Sequence, residues 1–200
     1  MPSQLSIVQH ALDLLGETSI TDLSALTEPA EGLLRAWDDV RDRALRARWW
    51  RFAIERTTLP AMTEAPAWGF DRQFQIDGDV VRVIQVGEYW TPIRDDYINR
   101  ETSPFRVEGD KILTNLEAPL KVRWIVNSKD VGLWAACFAA VLACDLADRA
   151  STRVTGSESI KARIKQERAD ALREAVRVNA LEQPPQALLD QSWIEARFSA

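Results

Sequence analysis

Between Leu133 and Cys144 twelve consecutive residues, LWAACFAAVLAC, are apolar. Such a stretch must be covered on most of its sides, yet it is well short of the roughly 20 residues that span a bilayer. With Asp130 placed as a cap, VGLWAACFAAVLACDLADRA reads as a buried central helix. Alanines at 135, 136, 139, 140, 143 and 147 let neighbouring helices approach it closely, within the subunit or across a subunit boundary.

The helices that could cover it are legible on both sides. Leu5, Val8, Leu12 and Leu15 recur at helical spacing before Gly16, so Ser3 to Leu15 is expected to be one amphipathic helix. Pro29 suits a first helical turn, and Leu33, Trp37, Val40 and Ala44 predict a second helix ending near Ala47. The acids Asp38, Asp39 and Asp42 could be metal ligands. With Asp39 four residues before Arg43 and Asp42 four before Arg46, a solvated, ion-paired helix face outweighs that reading. Thr155-Gly156-Ser157 breaks the chain after the central helix. A last helix is then expected to about Leu181, with Ile160, Ile164, Ala171, Ala175 and Val178 on one stripe, until Pro184-Pro185 ends it.

Between Trp49 and Val126 the texture changes to short runs that alternate or favour β-branched residues: AIERTTL, RQFQI, DVVRVIQV, FRVEG, KILTN and LKVRWIV. Asp77-Gly78 and Gly109-Asp110 are turn formers, the second placed as a hairpin requires, and the less regular stretch between Gly87 and Pro104 is expected to contain a longer loop. The expected fold class is α+β, a helical bundle formed by the N- and C-terminal segments with an inserted small antiparallel β domain, sandwich or barrel-like. The helical domain takes residues 1–50 and 127–183, the β domain 51–126 and a C-terminal tail 184–200.

The formal charge of −5 speaks against general binding of a polyanion. The start, MPSQLSIVQHALDLLG, lacks the pattern of a secretory signal, so a cytoplasmically made protein is expected. Cys137 and Cys144 read as two small core residues before a metal or redox pair. His10, the only histidine, has no ligand residue at helical spacing, and no Walker loop, GxGxxG, GxSxG, HExxH or CxxC occurs. Adjacent acids such as Asp38-Asp39 and Asp95-Asp96 point in different directions on a helix and make a poor acid-base pair. The chain is therefore expected to be no enzyme, with no catalytic residues, no cofactor and no metal. Lys161, Arg163, Lys165, Arg168, Arg173 and Arg177 could track a phosphate backbone. Glu158, Glu167, Asp170 and Glu174 are interleaved with them and favour a solvated or subunit-contacting face. Eight tryptophans point towards assembly, because tryptophan supplies large buried area at interfaces as well as in cores.

Several strings, in this order, resemble the tail tubular protein A family, the head-to-tail adaptors of short-tailed bacteriophages. They are ALDLLGETSITDL (11 to 23), AWDDVRDRALRARWWRFAIERTTL (36 to 59), FQIDGDVVRVIQV (74 to 86), FRVEGDKILTN (105 to 115) and APLKVRWIV (118 to 126). AAVLACDLA (139 to 147), the Thr-Gly-Ser break at 155 to 157 and SWIEAR (192 to 197) follow. No single string is specific, but their order runs over almost the whole chain. One departure is Ile76-Asp77-Gly78-Asp79, where the family often has Leu-Pro-x-Asp. It changes a turn.

The resemblance implies a virion structural protein assembled in the host bacterial cytoplasm and found in the head-tail connector. It would be one subunit of a dodecameric ring, its helical domain facing the portal protein and lining the DNA ejection channel, its β-domain loops facing the nozzle (tail tubular protein B). DNA would pass through the lumen without specific binding, an acidic wall keeping it from sticking. Trp193, Ile194 and Phe198 form a tail more apolar than solvent requires. They are expected to bind a partner, either the portal or a neighbouring subunit, with folding back onto their own helices as the bland alternative. The competing readings are a connector or head-completion protein of another tailed phage or prophage, a wall hydrolase of a phage particle, and a DNA-binding phage protein. The second would need a catalytic constellation and the third a basic recognition face.

Overall fold

The structure is a computed structural model that describes residues 1–24, 26–91 and 104–181. Four helices and two antiparallel sheets give an α+β architecture. Helix α1 (Gln4–Leu15) begins with a reciprocal cap in which Ser3 and Ser6 each accept the other's backbone N–H, and it ends on Gly16 in the left-handed conformation, φ 78°. Val8, Leu12 and Leu15 are buried as their spacing predicts. In α2 (Glu28–Ala47) Pro29 occupies the first turn, and Leu33, Trp37, Val40 and Ala44 form the buried stripe.

The outer face of α2 is paired differently from the expectation. Asp39 does pair with Arg43 at 2.7 Å. Asp42, however, meets Arg41, which also holds Asp38, both at 2.7 Å. Arg46 instead donates to the Val81 carbonyl at 2.9 Å. Val81 lies at a register shift of its strand, so a helix side chain meets a carbonyl that the regular ladder leaves over.

The expected runs all become strands: β1 (Ile54–Leu59), β2 (Arg72–Gln75), β3 (Val80–Val86), then a short β4 (Tyr89–Trp90), β5 (Phe105–Glu108), β6 (Lys111–Thr114) and β7 (Leu120–Val126). β4 lies at the start of the stretch expected to contain a longer loop, of which residues 92–103 lie outside the described residues: Gly87, at φ 59°, turns the chain back so that Tyr89 pairs with Val86. Gly109, at φ 61°, closes the β5–β6 hairpin. The Asp77–Val80 turn, hydrogen-bonded at 3.0 Å, makes no hairpin; it passes the chain from one sheet to the other.

The sheets have the orders β1-β7-β3-β4 and β2-β6-β5. Leu59, Val83, Val86, Val122 and Trp124 of the first and Phe74, Ile76 and Ile112 of the second share one hydrophobic core. The arrangement is therefore sandwich-like. Each sheet keeps its own edges, so no closed barrel forms.

The first sheet is apolar on both faces. In β7, Val122 and Trp124 point into the sandwich while Ile125 joins the helical core, the alternation any strand imposes. β3 departs from that alternation. Val80, Val83 and Val86 face the sandwich at intervals of three, while Val81 and Ile84 face the helices. Register shifts against β7 at Val80/Arg82 and Val83/Gln85 absorb the two extra residues. VVRVIQV thus serves two cores at once.

The central helix is shorter than the sequence pattern predicts. Asp130 does cap, accepting from the Gly132 N–H at 2.9 Å, but what it caps is a single 3-10 turn, Val131–Leu133. The α-helix, α3, runs Ala136–Val154. The break lets Trp134 turn inward, stack on Trp37 with ring centres 5.9 Å apart, and donate its indole N–H to the Ser128 carbonyl at 3.0 Å. Leu133, inside the apolar run, is left 67% exposed. After Gly156, α4 (Glu158–Leu181) packs antiparallel on α3 through a thin stripe. Only Ile164 and Ala175 are fully buried in it; Ile160 and Ala171 are partly covered.

Candidate functional site

Tryptophan is spent mainly on the cores. Trp37, Trp50, Trp124 and Trp134 are buried, and Trp49 is half-buried and stacked on Trp90. Trp68, at 81% exposure, and Trp90 are the two that face solvent among the described residues. The surplus read from the sequence as a sign of assembly therefore reduces to Trp68 and Trp90 where the structure is described.

Trp68 stands at a cleft of about 590 Å³ on the β side, with Pro66, Phe70, Tyr89, Pro104 and Leu116. Two of these come from the loop joining β1 to β2 and one from β4, the strand the sequence pattern missed. Beside it, Arg123 lies 5.0 Å over the Trp90 ring. Burial, and the Arg56 guanidinium next to it in the paired strand, hold the Arg123 pKa below its ordinary value.

The six cations of the last helix do not act as one face. Lys161, Lys165 and Arg168 line a cleft of about 770 Å³ between α2, α3 and α4, opposite Arg43 and Arg149. Arg168 pairs there with Asp145, and this hydrogen bond raises the guanidinium pKa. Arg163 leaves the other side of α4 and donates to the Leu14 carbonyl at 2.8 Å, fastening α4 to the end of α1. Arg173 pairs with Asp170 on its own helix. What spacing alone did not reveal is that α2 and α3 add two arginines to half of the set.

His10 is exposed and lies with Met1, Ser6, Ile7, Ala136 and Ala140 around a shallow depression that brings no His, Cys, Asp or Glu of the described residues beside it. Among the described residues no group of three His, Cys, Asp or Glu side chains could hold a metal ion. Asp38 and Asp39 engage Arg41 and Arg43 separately, whereas Asp95 and Asp96 lie outside the described residues, as do Trp193, Ile194 and Phe198. No helix among the described residues is long and apolar enough to cross a membrane.

Neither cysteine is in a disulfide; Cys144 is buried and Cys137 half-buried. Burial, followed by the Glu167 and Asp145 carboxylates, pushes the Cys144 thiol from 9.0 up to about 11. The native state keeps this thiol neutral where the unfolded chain ionises it. Its contribution to stability is therefore complete below pH 9 and lost as pH rises towards 11. Urea titrations across that window should show wild type losing about 2 kcal/mol more than Cys144→Ala. Equal pH slopes for the two proteins would contradict this. Native Cys144 should also resist alkylation at neutral pH.

No protein-family model matches the chain, and no curated protein matches it.

Proposed function

We propose that the chain is a structural subunit of a short-tailed bacteriophage, the adaptor that forms a ring between the portal and the tail nozzle around the DNA ejection channel. The observation that carries this reading is the order of the family-like strings together with the elements they occupy. FQIDGDVVRVIQV covers the end of β2, the sheet-switching turn and β3; FRVEGDKILTN is the β5–β6 hairpin; APLKVRWIV contains β7; and AAVLACDLA lies within α3. An adaptor needs surfaces at two ends. The thinly covered α4 and the cleft at Trp68 belong to the helical and β parts respectively. The helical part would meet the portal and the β loops the nozzle, with Trp193, Ile194 and Phe198 as a partner-binding anchor.

Mixing the purified chain with its phage's portal ring, and examining the product by mass photometry and electron microscopy, tests this. A ring of copies added to one end of the portal is the expected result. No association at low or moderate salt, combined with tight binding to duplex DNA, would replace the adaptor by a DNA-binding protein. Deleting residues 185–200 should weaken portal binding, and unchanged binding would remove the anchor role.

A further inference from the structure

Charge is distributed along this chain in a way that gives it two complementary faces. The first 34 residues contain Asp13, Glu17, Asp22, Glu28 and Glu31 and no lysine or arginine, and of these acids Glu28 is paired within the subunit, to Arg153 of α3 at 4.0 Å. Asp13 is exposed at the end of α1, and Asp22 and Glu31 are exposed in the connection to α2 and its first turn. The cleft between α2, α3 and α4 has the opposite sign. Arg43, Arg149, Lys161, Lys165 and Arg168 outnumber Asp145 and Asp148 within it and Asp39 at its rim. Its floor includes Ala44 and Ala47, small enough to admit side chains from outside.

The two faces cannot satisfy each other within one subunit. At 3.6 residues per turn, Lys161, Lys165 and Arg168 share one side of α4 and Arg163 lies about half a turn away. Arg163 is the residue that holds α1, through Leu14, so the acidic end of α1 is fixed on the side of α4 away from the cleft. One copy therefore presents an acidic edge on one flank and a basic cleft on the other, which is the requirement for a heterologous, head-to-tail contact that closes into a ring when the rotation allows.

We infer that the basic cleft of one subunit receives the acidic α1–α2 edge, Asp13, Glu17 and Asp22, of a second copy. The inference rests on the ring reading and names the faces that meet in it. Exposed ion pairs contribute orientation and association rate more than affinity, so each contact is weak alone and is reinforced when many copies are held together.

Four proteins test it: wild type, Lys161→Glu/Lys165→Glu, Asp13→Lys/Glu17→Lys, and the chain carrying all four changes. Folding of each is checked by circular dichroism, and self-association by sedimentation equilibrium at low ionic strength and high protein concentration. Wild type should associate reversibly and less at higher salt. Each two-residue variant should lose about tenfold or more in association constant. The four-residue variant, and an equimolar mixture of the two weakened variants, should recover it, because in both every cleft again faces an edge of opposite charge. A wild type that stays monomeric, or association indifferent to both reversals, overturns the inference. So does failure of the mixture to recover. Duplex DNA binding lost only in the cleft variant would assign the cleft to phosphates instead. Stoichiometric uptake of wild type by the portal ring in any of these cases keeps the adaptor reading; absence of that uptake removes the adaptor reading and is scored separately.

Discussion

Replacing Phe138 by alanine is expected to lower the free energy of unfolding by about 3 to 5 kcal/mol, among the largest losses a single substitution can cause here. Phe138 is fully buried in the first turn of α3. Its ring meets Trp50 edge-on at 4.8 Å, Phe52 at 5.0 Å and Trp134 edge-on at 5.2 Å. Edge-to-face contacts of this kind add to the area term, so truncation removes both and leaves a cavity walled by rigid rings. Those rings are themselves pinned: Trp50 donates to the Ala44 carbonyl at 2.8 Å, and Trp134 is held by Ser128. The site therefore collapses poorly. In urea the alanine variant should show a lower midpoint with an unchanged slope, whereas Phe138→Leu, which retains most of the volume, should lose clearly less. Equal losses in the two variants would mean that the aromatic contacts contribute nothing beyond filling space.

The aromatic cluster also marks the limit of what the sequence revealed. Helical spacing identified Leu33, Trp37 and Val40 because one face of α2 is buried along its length, and runs that alternate or favour β-branched residues identified six strands, of which β5 is largely exposed. The start of α3 was misplaced because an apolar run carries no periodicity, and Asp130 caps a 3-10 turn as readily as an α-helix. Tertiary contacts decided the matter: Trp134 reaches Trp37 and Ser128 only if the helix starts at Ala136. β4 carries no sequence signal because two residues, Tyr89 and Trp90, are too few to show an alternation. The same holds for the clefts. Three of the five cations of the basic cleft were readable as Lys161, Lys165 and Arg168, but Arg43 and Arg149 arrive from other elements. Arg41 was passed over because a charged residue on a buried stripe looks like an interruption. It is 6% exposed, its guanidinium reaching out to Asp38 and Asp42 at the surface while its stem lies on apolar neighbours.

Trp124→Ala should cost a comparable 3 to 5 kcal/mol, roughly, and Trp124→Phe far less. Trp124 is 1% exposed between the two sheets, and its indole N–H has no hydrogen-bond partner among the described residues. Leaving a buried donor unmet costs about 1 to 3 kcal/mol, so phenylalanine forfeits some volume but also removes that penalty. The two changes oppose each other, and the net loss for Trp124→Phe should stay near 1 kcal/mol. The alanine variant has a second readout. Its neighbour Ile125 is fully buried in the helical core, and Ile84 on β3 is placed likewise, so the sheet that walls the sandwich also walls the helices. Loosening the sandwich must then weaken the helical part. Far-UV circular dichroism, which reports chiefly α3 and its neighbours, and tryptophan fluorescence should follow one transition in wild type and in Trp124→Ala, shifted together. Two separated transitions in the variant, with the helical one unmoved, would show that the two cores unfold independently and that sharing a sheet does not couple them.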